Sequence, residues 1–274
     1  MSDNKSVGPV KAIILSAGQG RRLLPLTENT PKCLLPVFGT PVIAWQIDAL
    51  LQAGIEDVTV IAGFQVGKVE ALLAERYPHY PRVKTLFNPF YEVADNLASC
   101  WIARDEMSDN FLLLNGDTLF DAGLLSQVFT AEKAPITLCV DFKQAFDEDD
   151  MKVQLDADGW VKQVSKVLTA EQTDAESIGL IYFREQGVPL FRDAVERALR
   201  DPRKLKSWYL TIIDMLAQQR LVNACSVHGF HWCEIDFIDD LRRTETLFTV
   251  EGGALKEGSK PATILRDDIL PTSI

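Results

Sequence analysis

Five short strands read from the sequence, at residues 12–15, 58–62, 83–87, 111–114 and 136–140, alternate with stretches of helical periodicity. A continuous apolar run such as Ile13-Ile14-Leu15 is a strand covered on both faces, and strands separated by helices build a doubly wound α/β sheet. The helical stretches carry their own boundary signals. Thr40 and Pro41 read as a cap followed by proline in the first helical position, and Gly54 closes the helix containing Trp45, Ile47 and Leu50. A second helix around residues 69–75 ends before Pro78.

Beyond residue 150 the pattern changes. Residues 151–155 and 160–164 flank Asp156-Ala157-Asp158-Gly159, which reads as a β-hairpin insertion with an Asp-Gly turn. A strand at 178–183, helices at 188–199 and 208–218, strands at 222–227 and 231–235 and a helix at 239–248 follow. Residues 1–274 read as one domain, with a polar arm at 1–10 and an irregular tail from 251 to 274 placed on the surface or at a subunit contact.

The first strand runs directly into a loop holding Gly18 and Gly20, with Arg22 and Lys32 beyond it. Glycine turns the backbone with positive φ and lets a ligand approach without a Cβ in the way. Inward-facing peptide N–H groups then form an anion nest, and the two cations add charge beside it. A dinucleotide fingerprint would need glycine where Leu23 stands, and no GK[ST] follows for a Walker loop. On the glycines alone, a plain strand-to-helix connection with solvated arginines fits equally well.

The net charge of −11 excludes non-specific attraction to nucleic acid or to an anionic membrane surface, so a phosphate must be drawn by a local cationic pocket. No apolar run reaches 18 residues and the first ten residues are polar, giving a cytoplasmic expectation. Five scattered cysteines without CxxC spacing read as reduced thiols, mostly in the core. The three histidines lack metal spacing and a nucleophile partner.

Two aspartates stand where open α/β sheets bind ligands. Asp117 follows the 111–114 run in Asn115-Gly116-Asp117, and Asp236 ends the strand that also carries Glu234 two residues earlier, on the same face. Two hard carboxylates plus phosphate oxygens suit Mg²⁺. Taken singly, Asp117 fits an Asp-Gly turn and Asp236 a helix cap equally well. The acidic run 147–150 has no ligand spacing and reads as a solvated loop.

Together, Ala17-Gly18-Gln19-Gly20-Arg21-Arg22-Leu23, Pro25-Leu26-Thr27, Pro31-Lys32, Gly63-Phe64, Asn115-Gly116-Asp117 and the segment Trp232 to Asp236 resemble the sugar-phosphate nucleotidylyltransferase superfamily. The resemblance implies a Rossmann-like mixed, mainly parallel sheet with helices on both faces, of the nucleotide-diphospho-sugar transferase type. It implies that the loop at Leu15, Ser16, Ala17, Gly18 and Gly20 cradles a nucleoside triphosphate, that Arg22 and Lys32 bind its phosphates, and that Asp117 and Asp236 hold Mg²⁺. Lys166 resembles the family's second lysine, which binds the acceptor phosphate; an exposed strand-end lysine is the plain alternative.

Asn96 and Ser99 lie in an Asn-x-x-Ser segment similar to the CTP:phosphocholine and phosphoinositol cytidylyltransferase-like branch. This implies CTP as donor, a small phosphorylated alcohol or phosphonate as acceptor, and release of pyrophosphate. Trp208 and Tyr209 supply rings for the acceptor, and Glu176 and Glu234 supply carboxylates. Acidic residues follow the aromatic pair in the choline-type branch, whereas Leu210 and Thr211 follow here, which leaves polyol and other phosphates open. A hexose-1-phosphate enzyme using UTP, dTTP or GTP is the nearest alternative. A non-catalytic nucleotide-binding paralogue and a homo-oligomer are also open.

Overall fold

The computed structural model describes residues 10–131, 134–251 and 254–257. β1 (Val10–Ser16) leads through the glycine loop to a short ribbon, β2 (Pro36–Val37) and β3 (Thr40–Pro41), and to α1 (Val42–Gln52). β4 (Asp57–Ala62), α2 (Val66–Arg76), β5 (Val83–Phe87), α3 (Asn96–Ile102) and β6 (Asn110–Asn115) continue the alternation. Next come β7 (Thr118–Phe120), α4 (Leu124–Thr130), β8 (Ile136–Asp141), β9 (Lys152–Leu155), β10 (Val161–Ser165) and β11 (Ala175–Phe183). The remaining elements are α5 (Gly187–Leu199), α6 (Leu210–Ala217), β12 (Val222–Ser226), β13 (Trp232–Glu234), α7 (Ile238–Leu247), β14 (Phe248–Glu251) and β15 (Ala254–Glu257).

β5, β4, β1 and β6 lie parallel and adjacent, with Ile13 opposite Thr59 on one side and Leu113 on the other. β11 joins β6 antiparallel and reaches β8 and β9, while β12 extends the sheet beside β8 in parallel. The sheet is therefore mixed, and the 151–165 hairpin sits at its far edge, turning at Gly159 with φ +83°.

Side chains alternate across β1. Ile13 and Leu15 pack with Leu97, Phe191 and Ile213 from α3, α5 and α6, whereas Ala12 and Ile14 pack with Ile43, Ile47 and Val69 from α1 and α2. Helices thus cover both faces. That explains the unbroken apolar run, since burying each large aliphatic side chain stabilises by about 1.5–3 kcal/mol. The parallel strands β1 and β6 both end at the same rim, which delivers the glycine loop and Asp117 side by side.

Some expectations need correction. Pro41 occupies the helix cap, with φ −57° and ψ 142°, because Thr40 is drawn into the β2–β3 ribbon opposite Val37. Phe248 ends α7 and starts β14, fully buried beside Leu23, Trp45 and Ile235. The start of the expected irregular tail is a hairpin, β14 paired with β15. Residues 258–274 and the arm at 1–9 lie outside the described residues. α6 begins at Leu210, so Trp208 and Tyr209 precede it.

Candidate active site

The glycine loop is fastened from three sides. Thr27 is fully buried and its hydroxyl donates to the Gly20 carbonyl at 2.8 Å, while the Phe64 N–H donates to the Ala17 carbonyl at 2.9 Å. Gly20 has φ +75°, and a Cβ there would lie 2.8 Å from the Lys32 Cβ. Only glycine allows the Lys32 stem to lie against this turn. Leu15, Ser16 and Ala17 are buried at the strand exit and Gly18 is exposed.

Lys32 reaches across the rim. Its Nζ lies 2.6 Å from Asp117 Oδ2 and 2.6 Å from Asp236 Oδ1. The two aspartates come together because β13 pairs antiparallel with β7, Glu234 opposite Thr118, and the Ile235 N–H donates to the Asp117 carbonyl at 3.0 Å. Burial disfavours the Lys32 ammonium, yet the charges and hydrogen bonds of Asp117 and Asp236 overcome it and hold the pKa up at about 12. Burial also opposes the Asp236 carboxylate, but Lys32, Arg22 and Lys166 outweigh it and keep that carboxyl below its usual range. Glu234, behind them, is pushed up to about 8 by burial and by repulsion from Asp117, Asp236 and Glu176.

Arg22 and Lys166 meet through a residue that the sequence reading had placed in a solvated loop. Asp149 Oδ1 lies 3.3 Å from Arg22 Nη2 and 3.5 Å from Lys166 Nζ. Arg22 Nη1 also reaches Asp236 Oδ2 at 3.4 Å, and its guanidinium lies 5.4 Å from the Phe237 ring centre. Asp150 pairs with Lys143 at 2.6 Å, as does Glu176 at 2.6 Å. Residues 147–150 therefore wall a cleft of about 520 Å³, with Asp141, Glu176, Trp232, Glu234 and Asp236 on its other sides. Residues 147–149 are exposed in a loop, as expected, and Asp149 meets Arg22 from 127 residues away, a contact that no local spacing encodes. Burial raises the Glu176 carboxyl to about 7, with Lys143 opposing and Asp150 adding to the rise.

The remaining expected residues divide. The Trp208 ring is 40% exposed and lies over Lys166 Nζ at 4.8 Å, beside the cleft. Tyr209 does not face the cleft: it is fully buried, and its hydroxyl donates to Asn115 Oδ1 at 3.0 Å. Ser99 is also buried, its hydroxyl accepting from Asn88 Nδ2 at 3.0 Å, and Asn96 Oδ1 accepts the Tyr209 N–H at 2.9 Å. Tyr209, itself held by Asn96, braces Asn115, while Ser99 ties α3 to Asn88. Asp149 and Asp150 stood out in the sequence only as members of the acidic run 147–150 and Thr27 only as the last residue of Pro25-Leu26-Thr27, while Lys143 had no signal.

A cationic ammonium between two carboxylates marks a point where oxygen donors converge. Asp117 Oδ1 is buried with no hydrogen-bond partner among the described residues. Hard oxygens with an unused lone pair fit a divalent metal completed by phosphates, since magnesium is usually held by one or two carboxylates plus substrate. Among the described residues, no group of three or more His, Cys, Asp or Glu side chains is arranged to hold a metal by itself. A metal at this pair of aspartates would take its further ligands from water or from a bound phosphate.

Residues 11–161 match the family described as nucleotidyl transferase. The chain belongs to that family. It is an enzyme that transfers nucleotidyl groups. This nucleotidyl transferase is similar to the CTP:phosphoglutamine cytidylyltransferase of Campylobacter jejuni, at 26% identity over 85% of this chain and 98% of that protein. It is 37% identical to the choline-phosphate cytidylyltransferase of Streptococcus pneumoniae over 40% of this chain and 46% of that one. The solved CTP:phosphocholine cytidylyltransferase from Streptococcus pneumoniae superposes with a TM-score of 0.69 at 25% identity, covering 86% of this chain and 98% of that chain. The inositol-1-phosphate CTP transferase of T. maritima shares the fold, with a TM-score of 0.71 at 18% identity over 84% and 90% of the two chains. No helix among the described residues is long and apolar enough to cross a membrane.

Proposed function

We propose that this nucleotidyl transferase is a Mg²⁺-dependent cytidylyltransferase that joins CMP from CTP to a small phosphorylated acceptor and releases pyrophosphate. The observation that carries it is the convergence of Lys32, Asp117 and Asp236 at the end of β1 and β6, beside the glycine loop. CTP is supported by the cytidylyltransferases similar to this chain along nearly their whole length.

Asp117 and Asp236 would hold the metal, and Lys32, which pairs with both carboxylates, would then be free to bind the triphosphate. Bound there, Mg²⁺ supplies charge neutralisation on the phosphate oxygens. Arg22 stabilises charge on the triphosphate, and Lys166, backed by Trp208, holds the acceptor phosphate. The acceptor oxygen needs no general base, because a phosphate monoester with a second pKa of about 6 is already mostly dianionic at neutral pH. The protein's part is positioning and electrostatics. Both cations are paired at rest with Asp149, whose carboxylate, more than half exposed, is released to solvent when substrate phosphates take its place.

The acceptor lies in the cleft walled by residues 147–150 and Glu176. Its carboxylate-rich lining supports an acceptor whose far end carries a positive nitrogen or several hydrogen-bond donors, as opposed to a second anion. The test is pyrophosphate release with Mg²⁺, scanning CTP, UTP, ATP, GTP and dTTP against phosphocholine, phosphoethanolamine, 2-aminoethylphosphonate, inositol phosphate, glycerol phosphate and hexose-1-phosphates. Release with CTP and a small non-hexose acceptor is expected. Release confined to a hexose-1-phosphate with another nucleotide contradicts the reading.

A further inference from the structure

Helix α1 carries one buried polar side chain amid apolar neighbours. Gln46 is 1% exposed, with Ile43, Ile47 and Leu50 packed around the same helix. Its Nε2 donates to the Asn115 carbonyl at 2.7 Å and to the Thr118 carbonyl at 2.8 Å. Those two carbonyls bracket Gly116 and Asp117. The Gln46 Oε1 is buried with no hydrogen-bond partner among the described residues. A flipped amide would set Oε1 against both carbonyl oxygens, so the orientation is fixed by chemistry.

A buried amide whose acceptor is unused costs stability, and an aliphatic residue would fill the same space without that cost. What the amide gives in return is a two-pronged clamp on one corner of the chain. The rest of the corner is equally constrained. A Cβ on Gly116 would lie 2.6 Å from the Leu15 carbonyl, a Cβ on Gly179 would lie 2.4 Å from Asn115 Nδ2, and the Thr118 hydroxyl donates to the Ile178 carbonyl at 3.2 Å. The backbone on both sides of Asp117 is thus tied to α1 and to β11, while the Asp117 side chain projects toward Lys32 and Asp236.

We infer that Gln46 is a positioning residue for Asp117, its two N–H groups fixing the Asn115–Thr118 corner so that the Asp117 carboxylate meets Asp236 at one cation. The inference rests on the proposed metal role of Asp117. Gln46 touches no reacting group itself. Its loss should loosen the aim of one carboxylate and leave the glycine loop, and so nucleotide affinity, in place.

The test uses the full chain with Gln46→Met, which keeps length and apolar bulk but has no donors. Trp45→Phe is the matched control: Trp45 Nε1 donates to the Val37 carbonyl at 2.9 Å, so this variant also loses a buried bond from α1, but one directed at β2 and not at the Asn115–Thr118 corner. Mn²⁺ retained by enzyme plus CTP is read by electron paramagnetic resonance, together with kcat and KM for CTP and the thermal midpoint. Gln46→Met should weaken Mn²⁺ retention and lower kcat by about 10–100-fold, the range seen when partners behind metal ligands are removed, with KM for CTP nearly unchanged. Trp45→Phe should lower the thermal midpoint comparably and leave Mn²⁺ retention and kcat intact.

Mn²⁺ retention and kcat within about twofold of the parent in Gln46→Met overturn the inference. Equal losses in Trp45→Phe overturn it too, because they show a general loss of rigidity. Asp117→Ala separates this failure from failure of the functional reading: if Asp117→Ala retains Mn²⁺ normally, the metal role of Asp117 is wrong, and the role inferred for Gln46 goes with it. Should Gln46→Met not fold, Gln46→Leu, which is apolar and has no donors at any pH, is expected to give the same loss.

Discussion

Lys32 Nζ stands 2.6 Å from Asp236 Oδ1 although 204 residues separate them in the chain. The first loop of the main sheet and the segment just after β13 meet at that contact, and Asp117 completes it. One cation thus neutralises two carboxylates that would otherwise repel each other.

Replacing Lys32 by methionine removes that cation. In chelator, Lys32→Met should unfold at a lower temperature than the parent, since unpaired part-buried carboxylates are costly. Added Mg²⁺ should raise the midpoint of Lys32→Met more than that of the parent, because a ligand that binds only the folded state stabilises it and the competing ammonium is gone. Turnover should fall even when stability is restored. Differential scanning calorimetry with and without Mg²⁺ checks the first two points.

The same pair sets an alkaline limit. A lysine whose folded pKa of about 12 exceeds its unfolded value of 10.5 contributes stability in full below pH 10.5 and loses it as pH climbs toward 12. The stability gap between the parent and Lys32→Met, measured by urea unfolding, should be constant from neutral pH to about 10 and shrink above it.

Glu176 behaves oppositely. Burial raises its folded pKa to about 7 from 4.5, so the folded state holds a proton that the unfolded state releases. Stability is therefore lost as pH rises from 4.5 through 7, and the loss persists above that range. Glu176→Gln, which still accepts from Lys143, should be more stable than the parent at pH 8 and no more stable near pH 4. Urea midpoints at the two pH values are the check.

Asp149 is more than half exposed, and its pairs with Arg22 and Lys166 are worth little to the fold. Asp149→Ala should leave the thermal midpoint nearly unchanged. Its effect should appear in steady-state kinetics as a lower KM for the phosphorylated acceptor, because the phosphate no longer displaces a carboxylate from Lys166. A raised KM would assign Asp149 to binding the acceptor instead.

Tyr209→Phe removes a buried hydroxyl from Asn115 and should cost about 1 kcal/mol of stability, with the choice among acceptors unchanged. Trp208→Leu should do the reverse, raising acceptor KM with little change in midpoint. Kinetics over several acceptors, paired with calorimetry, distinguishes a bracing residue from a contact residue.

Much of the fold was legible because β1, β4, β6 and β8 are buried on both faces, which makes their sequences largely apolar. The short pieces were not. β7 and the β2–β3 ribbon have two or three residues each and are fixed by their partners, so neither periodicity nor turn chemistry announces them. At the site, Gly20, Arg22, Lys32, Asp117 and Asp236 were legible as residue types, while the bridging of two carboxylates by Lys32 depends on β13 pairing with β7. Asp149 and Gln46 act through contacts 127 and about 70 residues away, beyond the reach of any local pattern. Tyr209 shows the converse error: an aromatic expected beside the cleft is fully buried, just before an α6 that starts two residues later than the expected 208.

The most direct test is phosphorus NMR of the enzyme with CTP, Mg²⁺ and the acceptor panel. The account predicts coupled signals of a new diphosphate linkage between CMP and one small acceptor, growing in step with free pyrophosphate and lost in Asp236→Ala. Orthophosphate and CDP in their place, or a linkage formed equally well by Asp236→Ala, would contradict it.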